Sequence, residues 1–501
     1  MSRYYITTTL PYVNAKPHIG FALEIVQADV LARYHSLKGD EVIFNTGTDE
    51  HGQKIYERAV AEGKDPQAYV DEYAAKFDAL KLALNLTYTH FIRTSDPAHK
   101  KAAQEFWTLC EKQGDIYKSR YQVKYCVGCE LEKTDSELAD GHCPHHPNLE
   151  LELRDEENYF FRWSKYQEKL LALYAARPDF VMPDHRLREI RTFVSAGLND
   201  FSISRLREKM PWGVSVPGDD EHVMYVWFDA LVNYISTLGW PASAEASSFA
   251  KAVEDKTVDR SAGKLDEKGE FAFWPGVQVA GKDNLRQQSA MWQAMLMSAG
   301  IVPSKQIFIH GFITAAGQKM SKSLGNVVDP FDEVKEYGTD ALRYYLLREI
   351  PSSEDGDFSR ARMEERYAEL ANQLGNLVSR VAAMAQKYFA GALDSVTLDW
   401  SLRDQTLAGA MERYDFKAYL DEVFAVVAEA NDLVDKKSPF KLIKEDEAAA
   451  KAVLCQLAEM IRFIARALSP ILPQTSEEIL HRYGKIILVG DSLFPRRDER
   501  A

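Results

Sequence analysis

The feature that most constrains the fold is how the chain opens. An apolar, β-branched run over residues 4–9 leads into a turn carrying Pro11, Asn14 and Pro17, and then Leu23, Val26, Val30, Tyr34 and Leu37 recur at helical spacing up to Gly39. The turn ends in Pro17-His18-Ile19-Gly20, where a helix start offers unpaired N–H groups and partial positive charge to an anion. An imidazole beside it can donate to the same oxygens, and Gly20 lacks the Cβ that would block a nucleotide base. Far along the chain, Lys319-Met320-Ser321-Lys322-Ser323 puts two ammonium groups on a loop flanked by Gly317 and Gly325, suited to clamp a polyphosphate as charge builds. Each motif alone reads about as well as an ordinary cap histidine or a solvated basic loop. The two together predict an ATP site.

The alternation goes on, with a strand at 42–45 and helical pattern to about residue 84, which is the rhythm of a parallel, doubly wound sheet. Ligands of such sheets sit at the carboxyl ends of the strands, where His18 and Asp49 both fall. Over 116–224 the rhythm breaks into an irregular, Cys/His-rich stretch that reads as an insertion. Strand pattern resumes at 223–228, 278–280 and 307–309, and 243–269 is small and charged enough for a surface excursion. Beyond about residue 358 the pattern is helical, with stripes at Leu370, Leu374, Leu377, Val381, Met384 and Tyr388 and at Phe416, Leu420, Val423, Phe424 and Val427. The expected fold is therefore α/β: a Rossmann-like doubly wound sheet in two halves, 1–115 and 225–357, with a metal-knuckle insertion at 116–224 and an all-α bundle at 358–501.

Three of the five cysteines, Cys126, Cys129 and Cys143, combine with His146 into Cys-x-x-Cys and Cys-x-x-His pairs. Paired ligands on tight turns close a tetrahedral Zn²⁺ site, and four protein ligands make it structural. His145 competes with His146 for the fourth place, and the repeated two-residue spacer favours His146. Cys110 and Cys455 have no partner in sequence and read as core thiols. A chain of 501 residues exceeds one core, no stretch has a signal-peptide layout, and no apolar run approaches a membrane span, so a cytoplasmic protein of several domains is expected. The net charge of −14 argues against nonspecific nucleic-acid binding. Local clusters still serve: Lys436, Lys437, Lys441 and Lys444 surround Phe440, and Arg380 lies on a helical pattern near in sequence.

With both nucleotide motifs in this order the chain resembles the class I aminoacyl-tRNA synthetases, and the surrounding text narrows the resemblance to the methionyl-tRNA synthetase family. The matches include Thr9-Leu10-Pro11-Tyr12-Val13-Asn14, Gly47-Thr48-Asp49-Glu50-His51-Gly52, Glu157-Asn158-Tyr159-Phe160-Phe161 and Ser202-Ile203-Ser204-Arg205. They continue through Tyr225-Val226-Trp227-Phe228-Asp229-Ala230, Gly281-Lys282-Asp283 and Asn376-Leu377-Val378-Ser379-Arg380, nearly the whole chain. Three positions depart from the family's pattern. Phe21 stands where a second histidine is usual, Asn284 and Gln288 replace an isoleucine and a histidine of the methionine pocket, and Phe440 replaces a tryptophan that stacks under an anticodon base.

The resemblance implies a ligase that activates L-methionine with ATP and Mg²⁺ and transfers it to tRNA(Met), serving initiation and elongation. His18, Lys319 and Lys322 would be catalytic, with Gly20 and Asp283 also at the ATP. Leu10, Tyr12, Asp49, Trp227, Tyr234 and Gln288 would hold methionine, the Asp49 carboxylate taking the ammonium group. Cys126, Cys129, Cys143 and His146 would bind one zinc ion, and Asn376, Arg380 and Phe440 would read the anticodon in the helical bundle. The family's optional dimerising module has no space before Ala501, which favours a monomer. A small cytidylyl- or pantoate-activating transferase would share the nucleotide motifs but needs neither knuckle nor helical tail. A catalytically dead paralogue is opposed by intact His18, Gly20, Asp49, Lys319 and Lys322.

Overall fold

The computed structural model describes residues 2–129, 131–133, 138–144, 146–241, 270–315, 317–320 and 326–495. Its central element is a six-stranded, all-parallel sheet. From one edge it runs β3 (His90–Arg93), β2 (Glu41–Thr48), β1 (Arg3–Thr8), then Val277–Gly281, Gln306–His310 and Val181–Met182. The chain leaves β1 toward β2 on one side and returns to Val277–Gly281 on the other, so the strand order switches beside β1. In an open α/β sheet the crevice beyond such a switch point is where a ligand sits.

Helix α1 (Ile19–Leu37) starts at the turn read from sequence and stops before Gly39, whose φ of +87° suits glycine. Every residue from Ala22 to Ala32 is buried, not only those of the apolar stripe. The reason is a shared core. One apolar cluster joins Ile6, Phe44 and Val279 of the sheet with Leu23, Val26 and Val30 of α1, and continues through Leu342 and Leu346 into Leu420, Val427, Ile461 and Leu468 of the C-terminal helices. The parallel sheet and the helical bundle therefore share one apolar core. Each fully buried branched side chain in such a cluster contributes about 1.5–3 kcal/mol.

Arg343 pins the same junction with polar contacts. The side chain is fully buried, pairs with Asp29 Oδ2 of α1 at 2.8 Å, and donates to the carbonyls of Leu84, Ile471 and Pro470 at 3.0, 2.8 and 3.0 Å. The five-donor fork of arginine suits one site with four acceptors drawn from three parts of the chain.

A second apolar cluster covers the opposite face of the sheet, with Phe106, Trp107, Phe161, Phe228 and Trp292 at its centre. The stretch over 116–224 is more regular than its sequence suggested. Long antiparallel strands, Ile116–Cys126 and Glu152–Phe161, form an arm that carries the cysteines, and the helices Gln167–Ala176 and Asp184–Ser195 follow. The edge strand Val181–Met182 of the parallel sheet also comes from this stretch. The strand expected at 223–228 is corrected: Asp219–Met224 belongs to a small antiparallel sheet, and Val226–Ala230 is a short helix. A short apolar run buried on all sides has no periodicity to separate strand from helix. The excursion expected at 243–269 lies outside the described residues. No helix among the described residues is long and apolar enough to cross a membrane.

Candidate active site and metal centre

His18 caps α1. Its backbone is extended (φ −132°, ψ 169°) and its Nδ1 accepts the Gly20 N–H at 3.1 Å. A ring nitrogen that accepts from the backbone carries no proton, so the neutral ring carries its proton at Nε2, and the residue is exposed. A Cβ at Gly20 would lie 2.9 Å from His18 Cε1, so the glycine is what lets the imidazole fold back over the helix start. Phe21, where the family has a second histidine, stacks edge-on against Phe77 at 5.5 Å and serves packing.

The lysine loop reaches the same place. Gln318–Lys319 pairs with Ile313–Ala315, Met320 Cε lies 3.8 Å from the ideal Cβ position at Gly20, and the Val328 carbonyl accepts the Ile19 N–H at 3.0 Å. Both arms of the loop are thereby fixed at the start of α1. Lys322 lies outside the described residues, and Lys319 is described through its backbone. Behind the crevice, buried Glu24 accepts from Thr9 N at 2.7 Å, from Thr9 Oγ1 at 2.5 Å and from His310 Nε2 at 2.9 Å, while His310 Nδ1 donates to the Gly311 carbonyl at 2.7 Å. Burial pulls the His310 pKa down, but the Glu24 hydrogen bond and charge outweigh it and hold it above the ordinary histidine value. The His310 ring lies 3.6 Å from where a Cβ of Gly281 would be, next to Asp283 on the turn Lys282–Asn284.

Asp49 follows β2 and is buried, bridged to Tyr12 by the Asp49 N–H to Pro11 carbonyl bond (3.0 Å) and the Val13 N–H to Asp49 carbonyl bond (3.2 Å). The N-cap of the next helix, α2 (Gln53–Ala61), is Gly52, three residues beyond Asp49. Gly52 is required twice over: its φ is +123°, and a Cβ there would meet the Tyr12 hydroxyl at 2.2 Å. Leu10 and Tyr12 are half-buried beside it. Trp227 and Tyr234 stand on the short helices Val226–Ala230 and Asn233–Ser236, and Gln288 Nε2 donates to the Tyr234 hydroxyl at 2.8 Å.

Sequence reasoning missed the residues that immobilise this loop. Arg93 binds Glu50 through both carboxylate oxygens at 2.7 and 2.9 Å. Asp229, fully buried, takes His51 Nδ1 at 2.6 Å on one oxygen and His99 Nε2 at 2.9 Å on the other. Burial pushes the Asp229 carboxyl up, but His51 and His99 prevail and hold it at about 2. Asp229 lies two residues after Trp227 and its partner His51 two residues after Asp49, so one carboxylate fixes both walls. His51 and Asp229 lie inside motifs quoted above, but their pairing spans 178 positions and leaves no local signal.

At the knuckle, Cys126, Cys129, Cys143 and His146 offer ligand atoms all within 4.8 Å of one another. Cys129 Sγ lies 3.4 Å from Cys143 Sγ and 3.2 Å from His146 Nδ1, and Cys126 Sγ lies 3.8 Å from that nitrogen. Tetrahedral Zn–S and Zn–N bonds imply ligand separations of roughly 3.4–3.8 Å, close to these distances, and the cluster is one that could hold a metal ion. Burial, then the Cys143 thiol beside it, pushes the Cys129 thiol up to about 12, a cost that a bound cation removes. A Cβ at Gly128 would strike the His146 ring at 2.4 Å, and the Gly128 carbonyl accepts from Lys54 Nζ of α2 at 2.6 Å, tying the knuckle to the helix that follows the Asp49 loop. Cys126→Ser or Cys143→Ser is expected to lose one equivalent of zinc and to make the arm protease-sensitive, because ligand binding energy here is folding energy. Stoichiometric zinc retained by either variant would remove the assignment.

The family described as tRNA synthetases class I (M) matches residues 4–150 and 146–382, and the anticodon binding domain of methionyl tRNA ligase matches residues 391–488. The chain belongs to the methionyl-tRNA synthetase family. Among relatives named methionine–tRNA ligase, that of Thermosynechococcus vestitus is 43% identical over 98% of this chain and 92% of its own length. That of Synechocystis sp. is 42% identical over 96% and 89%. A Mycobacterium tuberculosis methionyl-tRNA synthetase in complex with methionyl-adenylate superposes with a TM-score of 0.88 at 34% identity, covering 99% of this chain and all of the other. The free form of that enzyme scores 0.81 at 31% identity, covering 99% of this chain and 98% of its own. The class I fold, the cysteine cluster and the helical C-terminal domain expected from sequence are thus those of this synthetase family.

At the far end of the bundle, Asn376 is exposed and Arg380 half-buried, four residues apart on the helix Asn376–Phe389. Arg380 Nη2 donates to Asp435 Oδ1 at 3.1 Å, and the Asp435 carbonyl accepts from Ser438 Oγ at 3.0 Å, two residues before Phe440. Phe440 is 42% exposed, with Lys441 Nζ 5.8 Å from its ring, which excludes it as a core anchor.

Proposed function

We propose that the chain is a methionine–tRNA ligase that joins L-methionine to ATP as methionyl-adenylate and passes the methionyl group to tRNA(Met). The observation that carries this reading is the convergence of the His18 cap, both arms of the lysine loop and Asp283 on the crevice at the switch point of the sheet, in a chain of this family. The attacking group is the carboxylate of methionine, already an anion, so no general base is needed. Catalysis rests on in-line placement and on neutralising charge that spreads over phosphate oxygens. His18 Nε2 is the donor preset for those oxygens, with Lys319 and Lys322 closing from the loop and Mg²⁺ arriving with the triphosphate. Gly20 leaves room for the base, and Asp283 faces the ribose.

Asp49 takes the ammonium group of methionine, and Leu10, Tyr12, Trp227, Tyr234 and Gln288 enclose the flexible thioether. The knuckle holds one structural zinc ion that fixes the arm and, through Lys54, the helix after the Asp49 loop. A ligase that charges tRNA for ribosomes works in the cytoplasm. ATP–pyrophosphate exchange over a panel of amino acids tests the reading: methionine should be preferred, and leucine or cysteine outcompeting it would overturn it.

Anticodon recognition falls to Asn376, Arg380 and Phe440. An amide and a guanidinium bind the edges of unstacked bases, and an exposed ring among lysines stacks on one. Phe440→Ala should weaken tRNA recognition by about 1–3 kcal/mol, with pyrophosphate exchange unchanged because it needs no tRNA. Phe440→Trp should keep charging. Equal losses in exchange and charging would show a folding defect and remove the stacking role.

A further inference from the structure

The strand Gly356–Phe358 runs parallel to Ile313–Ala315, the strand from which the lysine loop departs, so Thr314 stands opposite Asp357 on one side and Lys319 on the other. Two carboxylates two residues apart, Asp355 and Asp357, each hold one turn beside the crevice. Asp357 Oδ1 accepts the Thr314 hydroxyl at 2.6 Å and the Gly317 N–H at 2.8 Å; the same hydroxyl lies 3.2 Å from the Gly356 carbonyl. Gly317, with φ +71°, lies in the turn that brings Gln318–Lys319 back along Ile313–Ala315, so this one oxygen ties the root of the lysine loop. Asp355 reaches the other way. Its Oδ2 accepts from Lys282 Nζ at 2.6 Å and its Oδ1 from the Phe312 N–H at 2.9 Å, joining the turn Lys282–Asn284, which carries Asp283, to the chain just past Gln306–His310.

The strand that presents them is itself held. The buried Phe358 ring lies 5.3 Å from that of Tyr345, whose hydroxyl accepts the Ser359 N–H at 3.0 Å and donates to the Asp357 carbonyl at 3.4 Å. A Cβ at Gly311 would lie 2.2 Å from the Glu354 carbonyl, so the two stretches of backbone touch where Asp355 begins its grip. Both carboxylate residues are exposed, and an exposed ion pair contributes little to stability. What they contribute is placement.

We propose that Asp357 and Asp355 are positioning residues for adenylate formation that act on different parts of it: Asp357 places the lysine loop against the departing pyrophosphate, and Asp355 places the turn that carries Asp283 against the ribose. The inference rests on the ATP site proposed above. The lysines meet charge that grows as the α-phosphate is attacked, so an error in their placement costs rate. The ribose contact is made equally before and during the reaction, so an error in its placement costs affinity.

The test separates these two costs. Asp357→Ala should lower the single-turnover rate of adenylate formation at saturating ATP by about 2- to 12-fold, the equivalent of one net hydrogen bond, with the KM for ATP in pyrophosphate exchange held. Asp355→Ala should raise the KM for ATP by a similar factor, with the single-turnover rate held. Asp357→Asn keeps the accepting oxygen and should restore most of the rate. Thr314→Val removes one of the two donors and should slow the same step, and Thr314→Val combined with Asp357→Ala should lose no more than Asp357→Ala alone, because both changes break one contact. A wild-type rate in Asp357→Ala, the same kinetic parameter moving in both alanine variants, or losses that multiply in the double variant would overturn the proposal. Absence of methionine-dependent exchange in the wild-type enzyme would instead defeat the ATP-site reading itself.

Discussion

Lys322→Ala should lower the single-turnover rate of adenylate formation by on the order of 10²-fold or more while changing ATP binding less. The argument is about timing. Negative charge on the departing pyrophosphate grows as the α-phosphate is attacked, and an ammonium on a loop can close on that charge when it forms. The structure adds where the loop is held. Its first arm is bound in register, Thr314 opposite Lys319, and beyond it Asn326 Nδ2 donates to the Ala315 carbonyl at 3.4 Å. Val328 is bonded to Ile19 at the start of α1, so the segment that carries Lys322 is tethered on both sides of the His18 cap. A single-turnover rate equal to wild type would remove this role, and a loss confined to the ATP dissociation constant would make Lys322 a binding residue only.

Arg343→Leu should destabilise the protein by roughly 3–5 kcal/mol, the range for removing one partner of a buried ion pair. The change leaves the carbonyls of Leu84, Pro470 and Ile471 without their donor and leaves Asp29 buried with a negative charge. Asp29 keeps Arg33 Nε at 2.8 Å and the Thr87 N–H and hydroxyl, both at 2.7 Å, which places the expected cost toward the lower end. Arg343→Lys restores the charge but not the fork, and should recover only part of the loss. Denaturant midpoints of the three proteins check this. Midpoints of Arg343→Leu and wild type that coincide would show that the apolar junction alone holds the bundle to the sheet.

The parts legible in sequence are those whose signal is local. β1, the turn and α1 could be read because strand run, proline turn and 3.6-residue spacing follow one another directly, and the cap position of His18 came with them. The knuckle was legible because its ligands come in pairs on turns. What stayed hidden depends on partners distant in the chain. Nothing near Thr314 announces Asp357, and nothing near Asp29 announces Arg343. The helix Val226–Ala230 was read as strand because a buried run of five residues has too little length for its period to show. The insertion looked irregular because Ile116–Cys126 and Glu152–Phe161, the central pair of a four-stranded sheet, are rich in charged and polar residues and leave little apolar pattern to read.

The shared core gives the molecule a fixed measure. The helix Phe416–Lys437 begins at the sheet, where the Phe416 N–H donates to Ser352 Oγ at 3.2 Å and its ring lies 6.3 Å from that of Phe308, two residues before His310. It ends just before Phe440, and 22 residues at about 1.5 Å of rise make it about 33 Å long. Because apolar packing seals its base, the helix acts as a ruler and not as a hinge. An RNA gains from both ends only if its own two ends are spaced to match. A fragment that fits one end gains that end's affinity and nothing from the other. If the bundle reads bases as proposed, the spacing between the two sites becomes a second condition on the RNA.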